Sequence, residues 1–111
     1  MIGIVDYRAG NLTSVARALE FLKEPCIVTG NAKVLDGADR IIFPGVGAAG
    51  AAMENLRQSG LDKHLQRWVR EGRPVLGICL GTQVIFEHSE EDDAACLGIV
   101  PGTVRRFPKD L

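Results

Sequence analysis

Four short apolar runs punctuate the chain: Ile-Gly-Ile-Val at 2–5, Cys-Ile-Val-Thr at 26–29, Arg-Ile-Ile-Phe at 40–43 and Val-Leu-Gly-Ile-Cys at 75–79. They are mostly continuous rather than alternating, the pattern of strands buried on both faces of a parallel sheet. Between the first two, Leu12, Val15, Ala16, Leu19 and Leu22 form a helical stripe that Asn11 can cap and Pro25 closes. After the third run, residues 48–60 read as a helix stopped by Gly60. Residues 61–74 predict another, with Leu61, Leu65, Trp68 and Val69 on one face, Gly72 just past its end and Pro74 beyond. Residues 81–89 look helical, and 97–107 read as a hairpin around Pro101-Gly102.

Strands and helices in alternation predict a single α/β domain over 1–111. Its sheet is doubly wound and mostly parallel, with helices on both faces. In such sheets chemistry sits beyond the carboxyl ends of the strands. Three segments fall there: 6–11, 44–50 and 79–83.

Gly77-Ile78-Cys79-Leu80-Gly81 has the form glycine-x-nucleophile-x-glycine at a strand-to-helix junction, a nucleophile elbow carrying Cys. The flanking glycines permit a sharp turn, and the following helix start supplies free N–H groups and positive dipole that favour a thiolate. A buried structural cysteine is the alternative. A nucleophilic thiol needs a base. His88, nine residues on, would lie about 13 Å away along a continuous helix, too far for a hydrogen bond. His64 has the right height but points about a quarter turn off its helix's apolar face. Both read as solvated surface histidines, although a thiol hydrolase using His64 as base stays open.

The loop Gly45-Val46-Gly47-Ala48-Ala49-Gly50 is a literal G-x-G-x-x-G. A dinucleotide site would need an acidic residue at the end of the next strand, which here ends in Cys79. An acyl-transfer site suits the loop better. Leu80 would donate one N–H to an oxyanion, and the backbone at Val46 and Gly47 a second, because a residue without bulk allows close approach. A tight turn without chemistry is the third reading.

Composition narrows the classes. A net charge of −1 gives no basic footprint for nucleic acid or anionic membrane, and no apolar run approaches the ~18 residues of a spanning helix. Asp6 and Arg8 speak against a secretory signal. Three cysteines at unpatterned spacings fit neither a disulfide framework nor a metal site, and point to a reducing cytoplasm.

Pro44-Gly-Val-Gly47 together with Gly77-Ile-Cys-Leu-Gly-Thr-Gln83 resembles the class I, triad-type glutamine amidotransferases. The stretches 6–12, 86–91 and 97–107 narrow the resemblance to the glutaminase subunits of imidazole glycerol phosphate synthase. This implies a flavodoxin-like fold, no cofactor and glutamine as substrate. It also implies a heterodimer in which ammonia passes to a (β/α)8 cyclase partner in histidine biosynthesis. By match of motif, Cys79 would form a glutamyl thioester. Gly47 and Leu80 would serve the oxyanion and the glutamine backbone, Gln83 and Glu91 would contact glutamine, and Asn11 would lie toward the cyclase. Thr82 stands where these subunits usually carry Met. Their catalytic His and Glu lie in a later H-x-E pair that residues 1–111 do not contain. The resemblance therefore implies either a fragment of a longer protein or a truncated product that cannot hydrolyse glutamine as it stands; a non-catalytic, truncated interaction module is the alternative. The open sheet edge would then invite self-association.

Overall fold

The computed structural model describes residues 1–8 and 11–110. Ala9 and Gly10, in the first candidate loop, and Leu111 lie outside them. The main sheet contains β1 (Ile2–Val5), β2 (Cys26–Thr29), β3 (Arg40–Gly45) and β4 (Val75–Cys79) in the order β2-β1-β3-β4. All its pairings are parallel. This order, with helices on both faces, is the flavodoxin-like doubly wound arrangement that the alternation of elements predicts.

On one face, Ile2, Ile4 and Ile42 pack with Leu19 of α1 (Leu12–Phe21). Asn11 caps α1 by accepting a hydrogen bond from the Ser14 N–H at 3.2 Å. On the other face, Val5, Tyr7, Ile41 and Phe43 meet Leu35 of α2 (Ala32–Asp36) and Met53 and Leu56 of α3 (Ala49–Ser59). Leu61, Leu65 and Trp68 of α4 (Leu61–Arg70) complete this core. Gly60 and Gly72 end α3 and α4 with φ of 75° and 77°, a left-handed conformation that glycine adopts without steric penalty. The expectation that every strand is covered on both faces fails at the sheet's two edges. In β4, Leu76 and Ile78 are 59% and 39% exposed, and in β2 Ile27 and Val28 are also open.

The region after β4 departs furthest from the periodicity. The helix expected over 81–89 is the short α5 (Leu80–Val84), followed by β5 (His88–Ser89). The carbonyls of Val84, Ile85 and Phe86 accept N–H groups from residues 97–100, at 2.8–3.0 Å, instead of continuing the helix. Those same contacts abolish the expected hairpin. β7 (Thr103–Val104) pairs parallel with β5, and β6 (Ala94–Ala95) pairs antiparallel on its other side. The helix α2 has no counterpart in the apolar pattern; Asn31 starts it by accepting from the Lys33 N–H at 2.9 Å.

Candidate active site

Cys79 is the last residue of β4 and the cap of α5, with φ 57° and ψ −119°. A side-chain-bearing residue in this region is strained. The strain has a visible cause, because the chain must leave a parallel strand and enter a helix within one residue. Gly81 allows the turn: a Cβ there would collide with the carbonyl oxygen of Phe43 in β3. At Gly77 a Cβ would stand 3.1 Å from the Thr82 backbone, so the first turn of α5 folds back against its own strand. Cys79 itself is exposed and forms no disulfide. The geometry is that of a displayed side chain at the carboxyl edge of the sheet, as the glycine spacing predicts, and the buried-cysteine alternative is removed.

Gly45 is the register partner of Cys79 across the β3–β4 ladder. The segment 46–48 therefore leaves β3 directly beside the elbow and enters α3 at Ala49. Leu80 opens α5, so its N–H is one of the first-turn amides without an intrahelical acceptor. A Cβ at Gly47 would meet no protein atom within 4 Å, so among protein contacts it is the φ of 100° that favours glycine there. Close approach belongs to Gly45, whose absent Cβ leaves room for the Tyr7 hydroxyl.

Tyr7, from the first loop, lies beneath this junction. It is 2% exposed, its ring centroid is 5.1 Å from that of Phe43, and its hydroxyl has no hydrogen-bond partner among the described residues. Burial, then the nearby charge of Cys79, pushes its ionisation well above the ordinary phenol range, so it remains a neutral hydroxyl. Its place two residues past β1 is plain in the sequence, but its inward orientation is not.

Gln83 and Glu91 face one cavity of about 240 Å³, together with Ser89, Val104, Arg105, Arg106 and Phe107. Glu91 is also tied to the glycine loop's helix, since its Oε1 accepts from the Ala49 N–H at 2.8 Å. Neither histidine lines this cavity. His64 is not solvated as expected: it is 4% exposed and its Nε2 lies 2.9 Å from Asp36 Oδ1. Its ring packs against Trp68, whose indole donates to the Pro74 carbonyl just ahead of β4. Those partners put His64 by the starting end of β4, a strand length of about 13 Å from the Cys79 end. His88 Nε2 lies 2.7 Å from Asp93 Oδ1. No group of three or more potential metal ligands clusters among the described residues, and no described helix is long and apolar enough to cross a membrane.

The sequence pattern of the CobB/CobQ-like glutamine amidotransferase domain matches residues 6–105, from the first loop to β7. The chain belongs to this family. Among similar members of the glutamine amidotransferase group, the imidazole glycerol phosphate synthase subunit HisH of Desulfovibrio desulfuricans is 57% identical over 107 residues. The match covers 96% of this chain and 49% of that protein. The subunit of the same name from Nitratidesulfovibrio vulgaris is 53% identical, over 96% of this chain and 50% of its own length. The chain thus spans about half the length of the curated relatives it matches. A solved glutamine amidotransferase superposes with a TM-score of 0.80 at 21% identity, covering 95% of this chain and 56% of its own, which establishes the shared fold.

Proposed function

We propose that this chain carries the nucleophile half of a glutaminase that supplies ammonia to imidazole glycerol phosphate synthesis. The observation that carries the proposal is the strained, exposed Cys79 at the β4–α5 turn, in register with the first glycine of the 45–47 loop. The relatives named as synthase subunits support the pathway. In the proposed reaction Cys79 Sγ attacks the side-chain carboxamide carbon of glutamine. The carbonyl π electrons move to oxygen, and N–H groups of Gly47 and Leu80, with Val46 beside them, receive the developing oxyanion. Collapse breaks the C–N bond and nitrogen leaves with a proton as ammonia. Water then cleaves the glutamyl thioester, giving glutamate and the free thiol. Gln83 and Glu91, on the wall of their shared cavity, would hold the amino-acid end of the substrate.

The base is a separate matter. His64 is committed to Asp36 at the far end of β4, and His88 to Asp93. We therefore assign proton transfer to groups outside residues 1–111, in keeping with the H-x-E pair of the resembling subunits. The partner would be a cyclase of (β/α)8 form, approached through the first loop near the exposed Asn11, in the cytoplasm where three unpaired cysteines stay reduced. Nuclear magnetic resonance of the chain titrated with L-glutamine should show shifts centred on Gln83 and Glu91. Glutamate release should stay near background. Shifts elsewhere would overturn the binding assignment, and rapid release by the unaided chain would overturn the base assignment.

A second reading, self-association through the sheet, is favoured by one observation. β4 is an unpaired edge with Leu76 and Ile78 open to solvent. Sedimentation at several concentrations tests it: a mass that grows with concentration supports pairing, and a constant monomer mass excludes it.

A further inference from the structure

The helix that follows the glycine loop has no cap of its own. Ala48 occupies the N-cap position of α3 and offers no side-chain acceptor, and Ala49-Gly50-Ala51 supply none. Two first-turn amides are met from 42 residues away instead. Glu91 Oε1 accepts from the Ala49 N–H at 2.8 Å, and Asp92 Oδ2 from the Gly50 N–H at 3.0 Å. The fit is close, since a Cβ on Gly50 would stand 3.0 Å from Asp92 Cβ and Oδ2. The acidic turn is held in an unusual backbone shape to reach them. Asp92 and Asp93 have φ of 61° and 46°. Ser89, wholly buried, accepts from the Glu91 N–H through its Oγ at 3.2 Å. Aspartate tolerates the left-handed region better than most residues, and here two in succession adopt it.

From this geometry we infer that Glu91 and Asp92 form a clamp that fixes the 46–48 segment between two anchored ends, and that Asp92 is a positioning residue for the Cys79 site. One end of the segment is the Gly45–Cys79 register pair; the other is the Ala49–Gly50 pair of amides gripped by the clamp. With both ends of this three-residue segment anchored, the clamp narrows the range of positions open to the Gly47 amide beside Cys79, without direct contact from Asp92. Glu91 belongs both to the clamp and to the cavity wall with Gln83, so an occupant of that cavity touches the element that sets the loop. The chemical consequence rests on the glutaminase reading; the clamp itself does not.

Two measurements on the whole chain separate these. Amide hydrogen exchange in Asp92→Ala should accelerate at least tenfold at residues 47–50 while β4 amides keep their wild-type rates, and Asp92→Asn, which retains an acceptor oxygen, should restore most of the protection. Unchanged exchange at 47–50, or an equal rise throughout the protein, overturns the clamp. Reaction of Cys79 with 6-diazo-5-oxo-L-norleucine, whose ketone needs the loop amide, should fall about tenfold in Asp92→Ala. Alkylation by iodoacetamide, which does not need it, should stay within twofold. A parallel change in both reagents overturns the positioning role. Failure of the wild-type chain to react with the glutamine analogue overturns the glutaminase reading and, with it, the chemical role assigned to Asp92, while the exchange result still judges the clamp.

Discussion

Replacing Cys79 by glycine should stabilise the protein relative to replacing it by alanine, an inversion of the usual order. In regular structure, glycine is less stable than alanine by about 0.5–1 kcal/mol, because it loses more backbone freedom on folding. At Cys79 the backbone has φ 57° and ψ −119°, and a residue with a Cβ is strained there. Such strain is of order 1–3 kcal/mol, and alanine retains it while glycine removes it. Because the thiol is exposed, neither change forfeits much packing. Taking the middle of each range leaves Cys79→Gly about 1 kcal/mol above Cys79→Ala. With a urea slope of about 1–3 kcal/mol per molar, the unfolding midpoint should rise by about 0.5 M, read by circular dichroism at equal slopes. A Cys79→Gly midpoint at or below that of Cys79→Ala would refute the strained elbow. The same strain bears on function, since it keeps the sulfur turned outward instead of buried in β4.

Gly81→Ala should be far more damaging than an ordinary helix substitution: its methyl collides with the Phe43 carbonyl, and a loss of about 3 kcal/mol or more in chemical unfolding is expected. Tyr7→Phe removes a buried hydroxyl without a partner among the described residues, so the variant should match or exceed wild-type stability, by up to about 1 kcal/mol, in the same assay. The hydrogen bond from His64, and the Arg67 guanidinium, hold the Asp36 carboxyl below the usual carboxylate range. Its contribution is therefore present above the ordinary value of about 3.9 and is lost as pH falls through the lower folded value. Asp36→Asn should flatten the stability profile below about pH 4, by a modest amount because Asp36 is partly solvated.

The buried half of the fold was legible in the sequence, and so was the elbow. The strands at 2–5, 26–29 and 75–79 match the apolar runs residue for residue, because such runs suit a parallel sheet, although only β1 is buried along its whole length and the edge strands β2 and β4 stay partly open. The glycines around Cys79 announce the sharp turn: a Cβ at 81 would collide with the Phe43 carbonyl, and one at 77 would crowd the Thr82 backbone. Illegible were the features set by pairing across long sequence separations. Residues 97–100 capture the carbonyls of 84–86, cutting α5 short and replacing a hairpin with a small mixed sheet. His64 reads as exposed on a helical wheel, yet Asp36 from a helix absent from the periodicity buries it. The Glu91–Asp92 clamp left no local signal beyond the lack of a capping residue before Ala49.

The central claim is that Cys79 receives the carboxamide of glutamine beside the 45–47 loop. Its most direct test is peptide mapping by mass spectrometry after incubation with 6-diazo-5-oxo-L-norleucine, with and without excess L-glutamine. The account predicts a slow adduct confined to Cys79, suppressed by glutamine. Cys26 and Cys96 should remain unmodified; both are only partly exposed, and burial raises the Cys96 thiol above its ordinary range. Comparable labelling of all three cysteines, or a Cys79 adduct indifferent to glutamine, would contradict it.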